Sequence, residues 1–194
     1  MKVLFIGNSY TYFNDMPETI FAAKAEAAGY DCRVMSITRG GWYLSRYADP
    51  ENIEGKRLRD VIKDKHFDVV VLQDQSCNPA INTEGFLESV GKMKALLADK
   101  VDHFVLYATW GRKVGSPDLE NMGMTSAEMT EKLANAYATA GETYGMHVAH
   151  VGKAFAAYIA ANPDAELYNA DMTHPSYLGS QVAAQTILET ISKI

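Results

Sequence analysis

The sequence predicts an α/β protein in which about five parallel strands form one sheet with helices on both faces. Short apolar runs alternate with segments whose apolar residues recur at helical spacing, which is typical of strands joined by helical crossovers. The apolar runs are continuous, as expected for strands that are buried on both faces. The expected architecture is therefore a three-layer α/β/α sandwich, and the common strand order 2-1-3-4-5 is the one predicted.

The first strand is the apolar run Val3 to Ile6, and Gly7-Asn8-Ser9 ends it at a tight turn. A helix is predicted over 20–28, with Asp15 as a cap before it and Gly29 at its end. The other elements predicted in this half of the chain are a strand over 32–37, a solvent-facing helix over about 55–63 and a strand over 67–72.

In the second half, apolar residues at helical spacing predict a helix over 84–97. Thr125-Ser-Ala-Glu128 is a capping box that opens a helix to about residue 144. Pro175 suits the first turn of the closing helix. The remaining predictions are strands over 103–108 and 147–151, a loop over 109–124, a short helix over 153–161, an irregular segment over 167–174 and the closing helix over 175–191.

One domain, residues 1–194, is predicted to account for the whole chain, since the sequence has no internal repeat, low-complexity tract or linker. The contents of 47% hydrophobic and 22% charged residues are ordinary for a globular protein. The net charge of -6 disfavours nucleic acid or an anionic membrane as partner. No stretch approaches the ~20 apolar residues of a membrane span.

Two cysteines, Cys32 and Cys77, make neither a disulfide framework nor a zinc-site spacing. Both are predicted to be free thiols, with Cys32 inside the second strand. The first strand follows Met1 almost directly and leaves no room for a signal peptide, so the cytoplasm is the default expectation unless a leader has been removed. The oligomeric state is left open.

Ser9 is the first candidate for chemistry, because it stands one tight turn past a strand at the edge where open α/β sheets bind ligands. Such a turn can expose a nucleophilic hydroxyl and surround it with backbone N–H groups. The same three residues also make an ordinary turn, so the motif alone does not decide. It is neither a phosphate loop nor the Gly-x-Ser-x-Gly elbow.

Asp171 and His174 lie three residues apart before the last helix. If the chain turns there, the carboxylate can hold one imidazole nitrogen while the other faces a serine. A helix cap next to a surface histidine explains the pair equally well. A metal site would need further ligands at suitable spacing, which the sequence does not offer, so neither a metal nor an organic cofactor is expected.

Other polar and aromatic residues follow the predicted strands at the same edge. Gly40 or Gly41 could offer a backbone N–H to an oxyanion, and a side-chain amide after the third strand could offer another. A polar loop that satisfies its own backbone is the simpler alternative for those amides. The candidate amides are Gln73, Gln75 and Asn78, and the candidate substrate-binding residues are Asn8, Tyr10, Trp42, Trp110 and Arg112.

Taken together, these residues resemble the SGNH/GDSL hydrolase superfamily over nearly the whole chain. Gly7-Asn8-Ser9 resembles the block that carries the nucleophile, and Gly40 or Gly41 resembles the oxyanion glycine of the second block. The segment from Asp171 to Pro175 resembles the fifth block and is the most specific match. The resemblance implies a flavodoxin-like fold and a triad of Ser9, His174 and Asp171.

The third block departs from the family pattern. That family usually has Gly-x-Asn-Asp after the third strand, where the Asn is an oxyanion donor, and this chain has Leu72-Gln-Asp-Gln-Ser76. Gln75 is favoured as the replacement donor, with Gln73 and Asn78 as alternatives.

The resemblance implies two-step acyl transfer through an acyl-enzyme, without a cofactor. The aromatic and arginine residues of the loops, and the lack of a large apolar lid helix, favour a short-acyl ester, with an acetylated carbohydrate as the candidate substrate. Two alternatives stay open. One is a domain that keeps the pocket but has lost turnover, and the other is a flavodoxin-like protein whose Ser9 turn binds the phosphate of a small molecule or nucleotide.

Overall fold

A single parallel sheet organises the fold, and its strand order is the predicted β2-β1-β3-β4-β5. The computed structural model describes all 194 residues. The strands are β1 (Lys2–Gly7), β2 (Arg33–Thr38), β3 (Phe67–Leu72), β4 (Val101–Ala108) and β5 (His147–His150). β1 pairs with both β2 and β3, which places the end of β1 near the middle of the carboxyl edge.

Helices cover both faces of the sheet, as predicted. They are α1 (Ser9–Tyr12), α2 (Ala22–Ala27), α3 (Leu44–Ala48), α4 (Ile53–Ile62), α5 (Asn78–Ile81), α6 (Thr83–Leu97), α7 (Pro117–Met122), α8 (Ser126–Tyr144), α9 (Val151–Ala161) and α10 (Tyr177–Ile191). A 3₁₀ turn over Phe13–Asp15 and a π-helix over Met16–Phe21 connect α1 to α2.

Two apolar clusters, one on each face of the sheet, form the core. Alternate residues of β1 point to opposite faces, so Val3 and Phe5 pack with α2, α9 and α10, whereas Leu4 and Ile6 pack with α3, α4, α6 and α8. The central strands are therefore apolar on both faces, which is why they appear in the sequence as continuous runs. No helix is both long and apolar enough to cross a membrane.

Three local predictions at element ends were wrong. Asp15 makes no capping bond with its side chain and adopts a left-handed conformation before the π-helix. Pro175 lies outside α10, since it forms an isolated bridge with Tyr168 and the Ser176 side chain caps the helix by accepting the N–H of Gly179. Cys32 precedes β2, although it is a free thiol as predicted, like Cys77.

Three short helices, α3, α5 and α7, lie in segments that the sequence did not resolve into elements. Each has four to six residues, which is too short for helical periodicity to be visible. They matter because they follow β2, β3 and β4 and shape the loops at the carboxyl edge. The capping box at Thr125 and Glu128 is present and opens α8, as predicted.

Candidate active site

Ser9, His174 and Asp171 meet at the carboxyl edge of the sheet, although 165 residues separate the first two along the chain. Ser9 is the first residue of α1, directly past β1. Its Oγ lies 2.7 Å from Nε2 of His174. Nδ1 of the same ring lies 2.7 Å from Oδ2 of Asp171. The structure thus brings together the three residues that the sequence proposed as a triad.

The backbone around Asp171 explains how His174 is held. Oδ1 of Asp171 accepts the N–H groups of Thr173, at 3.0 Å, and of His174, at 2.9 Å. Burial acts to raise the pKa of Asp171, but the bonds from the His174 ring and these two N–H groups together outweigh burial and hold that pKa below its usual range. The carboxylate therefore stays ionised and keeps the imidazole oriented.

Asn8 connects three of the loops at the edge. Its Oδ1 caps α1 by accepting the N–H of Tyr10 at 3.1 Å, and its Nδ2 donates to the carbonyls of Trp42 at 3.0 Å and Asp74 at 3.3 Å. All three hydrogen bonds of the Asn8 side chain are to backbone groups of the protein. Asn8 lines the cavity at Ser9 and also fixes the turn of Ser9.

Two backbone N–H groups are available beside Ser9. The N–H of Ser9 lies at the start of α1, where no intrahelical acceptor exists. The N–H of Gly41 donates to no other protein atom, and Gly41 has a φ of +68°, a conformation that favours glycine. Gly41 lines the cavity at Ser9, whereas Gly40 does not.

The three candidate amides after β3 have different positions. Gln75 lines the cavity, and its Oε1 accepts the N–H groups of Cys77 and Asn78, at 2.8 and 3.0 Å. Its Nε2 has only a long contact, 3.4 Å, with Oγ of Ser76. Gln75 is therefore the one of the three amides that lines the cavity at Ser9, and it is also the one that the sequence favoured.

Gln73 and Asn78 do not reach the cavity, which corrects their assignment as oxyanion donors. Oε1 of Gln73 accepts the Asn8 N–H and the Thr11 hydroxyl, both at 2.9 Å, and its Nε2 donates to the carbonyl of Asp74. Nδ2 of Asn78 donates to Oδ2 of Asp74 at 2.7 Å. Both side chains are buried and hold the loop after β3.

Asp74 is a structural residue that sequence reasoning missed. Its side chain is fully buried and accepts the N–H of Leu44 and the amide of Asn78, each at 2.7 Å. Burial raises the pKa of Asp74, although these hydrogen bonds partly oppose the rise. The carboxylate thereby ties α3 and α5 to the end of β3. Only its position two residues past an apolar strand hinted at burial.

Glycine is required at position 7 because no other side chain has room there, and not because the backbone is left-handed. A β-carbon at this position would lie 2.6 Å from Oε1 of Gln73 and would also collide with the Thr11 hydroxyl. We expect Gly7→Ala to lower the free energy of unfolding by about 1–3 kcal/mol, because buried groups with fixed hydrogen bonds must shift. Urea unfolding followed by circular dichroism measures the effect, and an unchanged transition midpoint would contradict this explanation.

A cavity of about 230 Å³ opens at Ser9, and nine of its ten lining residues are polar or glycine. Besides the residues already described, Tyr10, Ser76, Arg112 and Asp118 line it. A surface hollow of about 740 Å³ beside α2 is larger, but it contains no histidine beside a nucleophile. The geometry of Ser9 and His174, and not the size of a hollow, identifies the candidate site.

Arg112 lies in the cavity wall with only 7% of its surface exposed. Its Nε donates to Asp118 at 3.0 Å, its Nη2 donates to Oγ of Ser76 at 3.1 Å, and its Nη1 donates to the hydroxyl of Tyr10. That hydroxyl is also 2.8 Å from Oγ1 of Thr173. Burial raises the pKa of Tyr10 to about 12, although Arg112 partly opposes the rise, so Tyr10 stays a neutral hydrogen-bonding group.

The two tryptophans are not walls of the cavity, contrary to the prediction. Trp110 is fully buried between Tyr10 and Phe155, with ring centroids 4.6 and 4.1 Å away. Trp42 lies outside the cavity lining, and the guanidinium groups of Arg39 and Arg46 lie 4.3 and 4.5 Å from its ring centroid. The sequence alone does not show whether an aromatic residue in a loop packs into the core or faces a cavity.

The structure offers no cluster of three or more His, Cys, Asp or Glu side chains that could hold a metal ion. The polar groups at Ser9 are a hydroxyl, an imidazole, a carboxylate and several N–H donors. The protein has a parallel sheet between two layers of helices, with hydrogen-bonded Ser, His and Asp side chains at the carboxyl edge of the sheet. This combination of fold and site is typical of α/β/α hydrolases.

Comparison with solved structures narrows the class to one family. A protein from Slackia heliotrinireducens that is assigned to the SGNH hydrolases has 31% sequence identity and a TM-score of 0.87, over 98% of each chain. No protein-family model matches the sequence, and neither does any curated protein. The similarity to the Slackia protein extends over the full chain, and the protein described here therefore belongs to the SGNH hydrolases.

Two more distant structures share the fold. A DUF4886 family protein from Bacteroides uniformis has 17% identity and a TM-score of 0.78, over 100% of this chain and 83% of its own. A variant of an acetyl xylan esterase from Geobacillus stearothermophilus has 15% identity and a TM-score of 0.66, over 98% of this chain and 94% of its own. At these identities the likeness establishes the fold alone.

Proposed function

We propose that this chain, as a single domain of residues 1–194, is a serine-dependent ester hydrolase that acts on short-acyl esters. The observation that carries the proposal is the continuous hydrogen-bonded line from Ser9 Oγ through His174 to Asp171, with 2.7 Å at each step. A nucleophile within hydrogen-bond reach of a base, which a third group orients, is the arrangement that activates a serine. Membership of the SGNH hydrolases supports the same chemistry.

The proposed reaction has two steps. Oγ of Ser9 attacks the ester carbonyl carbon while its proton passes to Nε2 of His174. The resulting oxyanion accepts hydrogen bonds from the N–H groups of Ser9 and Gly41 and from Nε2 of Gln75. His174 then gives its proton to the departing alcohol, which leaves an acyl group on Ser9.

Water completes the cycle by the same route. His174 takes a proton from the water that attacks the acyl-enzyme, and it returns a proton to Oγ of Ser9 as the acid leaves. Asp171 stabilises the imidazolium in both steps and remains ionised, in keeping with its lowered pKa.

The cavity supports a small acyl group and a polar alcohol. Its volume of about 230 Å³ is small, and Tyr10 is the one hydrophobic residue among the ten that line it. Gln75, Ser76 and Arg112 present hydrogen-bonding groups there, which suits a hydroxyl-rich alcohol such as a sugar. The likeness of fold to an acetyl xylan esterase adds support for an acetylated carbohydrate.

Chain-length dependence tests the proposal. We expect the protein to hydrolyse p-nitrophenyl acetate. The kcat/KM for p-nitrophenyl octanoate should be at least tenfold lower, because the longer acyl chain does not fit into the small cavity. A fluorophosphonate should label Ser9, as shown by mass spectrometry of the digested protein. Equal rates for the two esters would contradict the short-acyl assignment, and absence of both hydrolysis and labelling would contradict the esterase.

The phosphate-binding alternative gains no support from the geometry. The side chain of Asn8 already caps α1, which has only four residues, and Oγ of Ser9 is engaged by His174. Isothermal titration with inorganic phosphate and FMN distinguishes the two functions. Tight saturable binding of phosphate or FMN, together with no ester hydrolysis, would favour a phosphate-binding protein over an esterase.

A further inference from the structure

The ring of His174 is packed against two aromatic side chains. The ring of Phe13 is stacked on it, with centroids 4.2 Å apart and planes 8° from parallel. The ring of Tyr10 meets it edge-on, at 5.6 Å and 69°. Nothing in the sequence pattern marks Phe13, which lies between Ser9 and the next helix, as a partner of His174.

The turn that carries Phe13 is fixed to the segment that follows His174. Nδ2 of Asn14 donates to the carbonyl of Pro175 at 3.2 Å and to Oγ of Ser180 at 2.9 Å. Oγ of Ser180 donates to the carbonyl of Phe13 at 3.4 Å. Phe13 and His174 are therefore held by the same small network of hydrogen bonds.

The backbone conformation of this turn is energetically unfavourable, which indicates that contacts with the rest of the protein hold it in place. Asn14 has a φ of 58° and Asp15 a φ of 50°, so two successive residues other than glycine are left-handed. The contacts from Asn14 to Pro175 and Ser180 compensate for that conformation. The result of the turn is the placement of Phe13 flat against His174.

We propose that Phe13 is a positioning residue that fixes the plane of the His174 ring. This inference rests on the proposed function. Hydrogen bonds at Nδ1 and Nε2 hold two points of the ring, and the ring can still rock about the line that joins them. A flat aromatic face 4.2 Å away opposes that rocking.

The need for Phe13 is greatest in the acyl-enzyme. Once Oγ of Ser9 carries the acyl group, it has no proton to share with Nε2 of His174. The imidazole is then held by Asp171 and by the stacked Phe13 while it takes a proton from water. Loss of Phe13 should therefore slow deacylation more than acylation.

Stopped-flow hydrolysis of p-nitrophenyl acetate by Phe13→Leu tests this step. Leucine keeps apolar volume but has no aromatic face. We expect kcat to fall roughly tenfold with a parallel fall in KM, and a burst of p-nitrophenol before a slow steady state, because acyl-enzyme accumulates.

Two variants separate positioning from mere folding. Phe13→Tyr keeps the ring and should retain at least half of the wild-type kcat, without the burst. Tyr12→Leu removes the neighbouring aromatic, whose ring centroid is 6.0 Å from that of Phe13, and should leave kcat and KM unchanged. Wild-type kinetics in Phe13→Leu, or equal impairment in Phe13→Tyr and Phe13→Leu, would overturn the proposal.

A readout without turnover keeps this inference separate from the esterase proposal. The ring protons of His174 lie over the Phe13 face and should show an upfield ring-current shift in the NMR spectrum, with His174→Ala giving the assignment. That shift should disappear in Phe13→Leu and persist in Phe13→Tyr. Absence of hydrolysis by the wild type would contradict the proposed function, whereas an unshifted His174 signal in the wild type would contradict the stacking.

Discussion

Ser9→Ala should lower the rate of p-nitrophenyl acetate hydrolysis by about 10³-fold or more. Oγ of Ser9 is the only hydroxyl within hydrogen-bond distance of Nε2 of His174, at 2.7 Å, so its removal takes away the proposed nucleophile. The fold should tolerate the change, because Oγ makes no hydrogen bond other than that to His174. Initial rates at saturating substrate, with urea unfolding in parallel, measure the two effects separately.

The control for this experiment is Ser192→Ala, which removes a serine hydroxyl beyond the end of α10 and far from β1 in the sequence. It should hydrolyse the ester at the wild-type rate. Equal rates for Ser9→Ala and the wild type, in folded protein, would rule out Ser9 as the nucleophile.

His174→Ala should reduce the same rate by a comparable factor, about 10³-fold, because Ser9 then has no base. Residues that act as one unit do not contribute additively, so the double variant Ser9→Ala/His174→Ala should be no slower than the slower single variant. Rates of the two single variants and the double variant, measured under one set of conditions, check the prediction.

The chain offers a matched control for the histidine. His66 forms a similar His–Asp pair, with Nε2 2.8 Å from Oδ1 of Asp102, but this pair is exposed and has no serine at its other nitrogen. His66→Ala should keep the wild-type rate. If His174→Ala retained full activity, His174 could not be the base, and an additive double variant would mean that the two residues act independently.

The sequence allowed the sheet to be predicted because the strands are buried on both faces. Val69, Val70 and Val71 lie in β3 and are all buried, so continuous apolar character identified the strand over the bounds that the structure has. Right-handed crossovers then restrict the strand order to a few possibilities. The order 2-1-3-4-5 was chosen among them because it is common, and the structure confirms it.

The arrangement of the candidate site could be predicted in part. Ser9 and His174 are at strand and helix ends, where the topology brings distant segments together, and this allowed the triad to be proposed. Gln75 was favoured as an oxyanion donor, but Gln73 and Asn78 stayed as alternatives, because the sequence does not show how the chain turns after β3. Trp110 was misplaced for a related reason, since a residue just after a strand can fold back into the core.

Trp110 also gives this protein a natural optical reporter. It is one of two tryptophans in the chain, and its indole Nε1 donates to the carbonyl of Thr173 at 3.1 Å, next to His174. Its fully buried ring should emit at shorter wavelength than a tryptophan in water. In a Trp42→Phe background, fluorescence would then come from Trp110 alone, so acylation of Ser9 could be followed in real time with unlabelled natural esters.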